Sequence, residues 1–184
     1  MSEKKKKTSF LKDFIKDLII ALVIVLAITA VIKPTIVKET SMLDTLQENN
    51  YLLVNKLAYI TKDHPARGDI IVCKSELDKE DRENILLIKR VIAVEGDTIS
   101  FDNDQVYLNG KLLEEDYIYD ENPGVRAYPN GESYTVGQDE IFAMGDHRSV
   151  SCDSRDSSVG MVSEEDIVGK AFIRLFPFNE IGLL

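Results

Sequence analysis

Ile85-Leu-Leu-Ile-Lys89-Arg-Val-Ile-Ala-Val94 is a β-prone apolar run interrupted only by Lys89 and Arg90. Its length, its branched side chains and the turn signal Glu95-Gly96-Asp97 that closes it predict a strand. Alternation along that strand sends Lys89 to the same face as Leu87 and Val91, away from water if that face is buried. Burial would disfavour the ammonium and lower its pKa. Taken alone, Lys89 reads equally well as an edge lysine snorkelling to solvent.

On the N-terminal side, Arg67-Gly-Asp-Ile-Ile-Val-Cys73 reads as a turn followed by a strand, a hairpin partner for 85–94. The nearly all-charged stretch 75–84 reads as the solvated loop between them. Tyr51-Leu-Leu-Val-Asn-Lys56 is a further strand, and 33–39 an extended connector. On the C-terminal side, Asp102-Asn-Asp104 and Asn109-Gly110 bracket Val106-Tyr-Leu108, the pattern of small antiparallel strands. Residues 114–133 read as a loop-rich excursion, 141–144 as a strand, 145–158 as a polar loop, and 167–176 as a closing strand stopped by Pro177. Repeated short strands joined by turns predict a mainly β body of antiparallel sheets forming a partly closed, barrel-like domain.

The start of the chain is different. Residues 1–17 carry six lysines against Glu3, Asp13 and Asp17, whereas the whole chain has a formal charge of -10. From Leu18 to Ile32 there is no charged residue, and Phe14 and Ile15 extend the apolar segment, with Lys16 able to snorkel. No small-x-small pattern follows, Ile28 standing three positions before a cut after Ala30, so the segment reads as an anchor and not a cleaved leader. Domain boundaries follow: a basic cytoplasmic tail over 1–13, a transmembrane anchor over 14–33, and an extracytoplasmic domain over 34–184 with a small β/loop excursion at about 101–136. An acidic body argues against nucleic acid as a partner. Neither Cys73 nor Cys152 has a metal-ligand spacing, and both are expected to be unpaired.

Candidate chemistry is narrow. With only His64 and His147 in the chain, a Ser-His-Asp arrangement is poorly supplied; His64 precedes Pro65 in a charged turn, and no GxSxG accompanies His147. A His147–Cys152 thiol pair has no recognised spacing to support it. A lysine base is the remaining variant of serine-peptidase chemistry.

Four segments, in order behind the apolar run, resemble the boxes of the type I signal peptidase family: Pro34-Thr-Ile-Val37 through Thr40-Ser-Met-Leu-Asp-Thr-Leu46, then Arg67-Gly-Asp-Ile-Ile-Val72, Ile88-Lys-Arg-Val-Ile-Ala-Val-Glu-Gly-Asp-Thr98, and Met144-Gly-Asp-His-Arg-Ser-Val-Ser-Cys-Asp-Ser-Arg155. The resemblance implies a membrane-bound serine endopeptidase that removes signal peptides from secreted preproteins through an acyl-enzyme. It implies Ser41 as nucleophile, Lys89 as general base and Ser151 as the hydroxyl that orients the amine. Val37, Met42, Leu46, Leu87 and Ile88 would line substrate pockets, and Asp146, Arg148, Asp153 and Arg155 would support the site through ion pairs. No metal or cofactor is implied; signal peptides, membrane lipids and the secretion translocon are the implied partners. A catalytically inactive assembly factor or chaperone is the alternative, because Glu39 stands where the family often has Ser or Gly and cannot donate to an oxyanion. Glu39 is therefore expected to point away from the site. Asp44 replaces a usual proline, and His147 a common asparagine.

Overall fold

The computed structural model describes residues 2–60, 64–74, 86–119 and 129–184, with the backbone alone for 2–11. Among the described residues, one α-helix, α1 (Ser2–Val31), leads into twelve short strands: β1 (Ile32–Ile36), β2 (Tyr51–Asn55), β3 (Ile70–Lys74), β4 (Leu86–Val94), β5 (Thr98–Asp102), β6 (Gln105–Leu108), β7 (Lys111–Leu112), β8 (Ser133–Thr135), β9 (Glu140–Met144), β10 (Val162–Ser163), β11 (Ile167–Phe176) and β12 (Gly182–Leu183). Within α1, the 20 residues Lys12–Val31 are long and apolar enough to cross a membrane. The helix ends where Lys56 ties it to the body, its N–H donating to the Val31 carbonyl at 2.8 Å and its Nζ to that of Thr29 at 3.0 Å. These are two of the carbonyls a helix C-terminus leaves without an intrahelical partner.

The strands form two antiparallel sheets. The larger runs β1-β2-β11-β3-β4-β9-β10, with β12 added to β11; the smaller runs β7-β6-β5-β8. The expected hairpin is present, β3 pairing β4 with Ile71 opposite Lys89. The predicted turns at 103–104 and 109–110 join β5, β6 and β7, and the closing strand β11 ends at Phe176 before Pro177. The segment expected as a connector, 33–39, is instead largely strand. Residues Ile32–Ile36 pair with Tyr51–Asn55 at the sheet edge, where Pro34 can forgo its ladder bond. The loop read at 75–84 and the excursion over 120–128 lie outside the described residues.

Both faces of the large sheet are covered, which is why β3 and β4 are nearly continuous apolar runs. Alternate residues split: Ile70 and Val72 pack with Val37, Met42, Leu46 and Leu52 on one face. Ile71 and Cys73 pack with Leu87, Val91 and Ile141 on the other. A third cluster joins the small sheet to the large one through Ile99, Phe101, Val106, Phe142 and Met144. At the junction, the buried Asp97 accepts from Arg67 Nε at 2.8 Å, from Asn109 Nδ2 at 2.8 Å and from the Val94 N–H at 3.0 Å. This geometry makes β4 the strand on which the two halves meet, and β4 carries Lys89.

Candidate active site

Lys89 is 2% exposed and Ser41 8% exposed. The Lys89 Nζ lies 2.8 Å from the Ser41 Oγ, so the two residues singled out as a pair are in direct hydrogen-bond contact. As the strand pattern predicts, Leu87, Lys89 and Val91 are buried while Leu86, Ile88 and Arg90 are partly exposed. Burial pushes the Lys89 amine below the ordinary lysine range, and the charges of Asp153 and Glu39 oppose that shift without cancelling it. A neutral amine at this distance can accept the proton of a serine hydroxyl, and a protonated one cannot.

Ser41 sits in a turn after β1. The Leu46 N–H donates to the Met42 carbonyl at 2.7 Å, and the Leu43–Asp44 peptide bond is cis. The Ser41 carbonyl receives the His147 N–H at 3.0 Å, which joins this turn to the loop after β9. Gly145, in that loop, has room for no side chain: a Cβ there would lie 2.4 Å from the Ser41 carbonyl oxygen and 2.3 Å from the Ser151 Oγ. Ser151 is buried in the same loop. Burial raises the Asp153 carboxyl pKa, but the Arg155 guanidinium, Ser151 and the Gly145 N–H outweigh it and hold the group below the usual range.

The four expected support residues each find a charged partner. Asp146, fully buried, takes Arg90 in a two-pronged contact, Nε at 2.8 Å and Nη2 at 2.7 Å. Arg148 binds Glu115, with Nη1 at 2.9 Å from Oε2, and its Nε donates to the Gly145 carbonyl at 3.0 Å. Asp153 and Arg155 pair at 2.8 Å. The Tyr117 ring stacks under the Arg90 guanidinium at 4.0 Å. Arg90, Glu115 and Gly145 were not singled out from sequence, although Arg90 and Gly145 stand inside the segments quoted for the resemblance. Removing one member of a buried pair leaves a charge without compensation. Asp146→Ala is therefore expected to lower the unfolding free energy by about 3 kcal/mol in denaturant titrations, and Arg90→Met with Asp146→Leu to recover most of it.

A cleft of about 600 Å³ runs along β1 to Ser41. Of the expected pocket residues, Val37, Met42 and Ile88 line it, together with Pro34, Thr35, Ile36, Tyr51 and Leu86. Leu46 is buried in the same cluster as Met42 and does not line the cleft. Leu87 faces the opposite way, packed with Ile71, Cys73 and Val91; the neighbour Leu86 takes the cleft position, as the two-residue period of a strand requires. Glu39, expected to point away, is exposed but lines the cleft with Ser41. Cys73 and Cys152 are both free, and burial pushes the Cys73 thiol up to about 12. His64 is exposed and bonds Glu164 at 2.9 Å.

Fold and site together define a class: a β-sheet hydrolase with a serine hydroxyl set against a buried amine beside an extended cleft. The sequence model of one family, described as signal peptidase, peptidase S26, matches residues 11–176, and the chain belongs to that family. Signal peptidase I P of Bacillus subtilis subsp. natto is 36% identical over 186 residues, spanning 97% of this chain and 96% of its own. A probable signal peptidase I-2 of Synechocystis is 35% identical over 157 residues, 85% of this chain and 68% of that one. The crystal structure of a signal peptidase I from Enterococcus faecalis is 28% identical, covering 59% of this chain and 97% of that one with a TM-score of 0.46.

Proposed function

We propose that this chain is a membrane-anchored serine endopeptidase that removes signal peptides from secreted preproteins. Ser41 is the nucleophile and Lys89 the general base. The observation that carries the reading is the 2.8 Å contact between a buried amine and a buried hydroxyl at the end of an open cleft. The Ser41 Oγ attacks the scissile carbonyl carbon as its proton passes to the neutral Lys89 Nζ. The resulting ammonium then protonates the leaving amine, the C–N bond breaks, and an acyl-enzyme remains. A water, deprotonated by the same amine, attacks the ester carbonyl; the C–O bond to Ser41 breaks and the ammonium returns a proton to the Ser41 Oγ. The Ser41 N–H stabilises the oxyanion. Ser151 and Asp153 position the amine, and no cofactor or metal takes part.

The substrate lies in the cleft as an extended strand, its small side chains against Val37, Met42, Leu86 and Ile88. The lysines at 4–7 hold the N-terminus in the cytoplasm by the positive-inside rule. Nine residues take the chain from Ile32 to Ser41, at most about 30 Å when extended, so the site works close to the outer membrane surface. There it meets membrane lipids and preproteins arriving from the translocon.

The full-length protein in detergent is expected to cut a preprotein at one site after small residues, and Ser41→Ala to lose that activity by at least about 10³-fold. Cleavage surviving in Ser41→Ala contradicts the assignment. Folded, unsubstituted protein that cuts nothing points instead to the inactive assembly factor.

A further inference from the structure

Among the departures that the signal-peptidase reading leaves without a role is a histidine at 147, in the loop after β9. We infer that His147 is a positioning residue that fixes the peptide unit carrying the Ser41 N–H, the backbone donor proposed for the oxyanion; this rests on the function proposed above.

Two contacts run from His147 to the nucleophile turn. Its backbone N–H donates to the Ser41 carbonyl at 3.0 Å, and its ring Nδ1 lies 3.2 Å from the Thr40 carbonyl oxygen. A carbonyl only accepts, so Nδ1 carries the proton, in the neutral ring and in the imidazolium alike. The Thr40 carbonyl and the Ser41 N–H belong to one planar peptide unit and point in opposite directions. Holding the oxygen therefore aims the N–H. The Leu43 N–H reaches the same oxygen at 3.2 Å, so the imidazole supplies the second of two donors there.

The ring itself is braced. Tyr119 meets it edge to face, with centroids 5.0 Å apart and planes at 89°, and the Tyr119 N–H donates to the Asp146 carbonyl at 3.1 Å. The His147 carbonyl in turn receives the Ser151 N–H at 3.1 Å. One residue thus couples the nucleophile turn to the turn that carries Ser151. The coupling matters more in this chain because Glu39 has no hydroxyl to lend the oxyanion, which places the demand for alignment on the backbone donor.

The test is steady-state cleavage of a preprotein by the full-length protein in detergent, with two variants. His147→Phe keeps a ring against Tyr119 but has no donor; kcat is expected to fall about tenfold while KM stays within twofold and the unfolding midpoint is unchanged. His147→Asn places an amide nitrogen where Nδ1 was and is expected to return kcat to within about threefold of the parent. Nitrogen NMR of His147 in the unsubstituted protein is expected to report a protonated Nδ1 throughout the working pH range. Three results overturn the inference: full activity in His147→Phe, equal losses in the Phe and Asn variants, or an unprotonated Nδ1. The last can be read even if a variant fails to fold. Absence of Ser41-dependent cleavage by the unsubstituted protein is a different result; it overturns the peptidase reading, and this inference with it.

Discussion

Lys89→Met is expected to reduce preprotein cleavage by about 10²–10⁴-fold, the usual contribution of a general base, while making the folded protein more stable. Methionine nearly matches the lysine stem in volume, and position 89 shares its buried strand face with Leu87 and Val91 and pairs across the ladder with Ile71. It also removes an ionisable group from a site 2% exposed. The lost bond to Ser41 offsets part of the gain, leaving a net stabilisation of about 1 kcal/mol at neutral pH.

The pH dependence of that gain follows from linkage. Burial holds the folded-state pKa of Lys89 below its ordinary 10.5, so between the two values the unfolded chain binds more protons than the folded one. Stability of the unsubstituted protein then rises with pH across that window. The advantage of Lys89→Met is full below the depressed value and disappears as pH reaches the ordinary one. Denaturant unfolding of both proteins at several pH values checks the sign, and cleavage assays check the loss. A variant that lost both activity and stability would identify Lys89 as a structural residue only.

The second large effect is expected at Gly145. Its backbone does not need glycine, since its φ lies outside the left-handed region; the space does. An added Cβ would sit 2.4 Å from the Ser41 carbonyl oxygen and 2.6 Å from the Ser151 Cβ, well inside van der Waals contact. The carbonyl cannot retreat freely, because the His147 N–H holds it. Gly145→Ala must therefore displace the nucleophile turn or Ser151. A shift near 1 Å at reacting groups is worth about 100-fold in rate, and forced overpacking about 1–3 kcal/mol in stability. Gly160→Ala is the control. At φ +62° with nothing within 4 Å of the added carbon, it is expected to cost about 1 kcal/mol of backbone strain and leave the cleavage rate unchanged. Comparable rates for the two alanine variants would show that the packing of Gly145 does not set the geometry of Ser41.

Much of the fold was legible because its central strands are written redundantly. β3 and β4 are covered on both faces, so they appear as nearly continuous apolar runs, and β5, β6 and β7 are separated by turns that Asn, Asp and Gly announce. The edges were not legible. β1 contains Lys33 and Pro34 and is a strand because β2 lies beside it. β8 is polar, and β10 and β12 are two residues each, too short to carry a period. At the site, the face of Lys89 followed from alternation alone, but its partner did not, since nothing local to Ser41 names the strand it will meet. Alternation set Leu87 on the face of Lys89 and Leu86 with Ile88 on the other, but which of the two faces borders the cleft was not written in the strand. The roles of Gly145 and Glu115 were not legible for a plainer reason: their importance lies in contacts with residues distant in the chain.

The central claim is that the amine beside Ser41 is uncharged when the protein works. The most direct measurement is an NMR titration of the lysine Cε and Nζ signals of the full-length protein in detergent, with Lys89 assigned by its loss in Lys89→Met. The expected result is one lysine titrating clearly below the others, its midpoint coinciding with the acid limb of kcat/KM. A Lys89 signal that titrates with the exposed lysines would contradict the account.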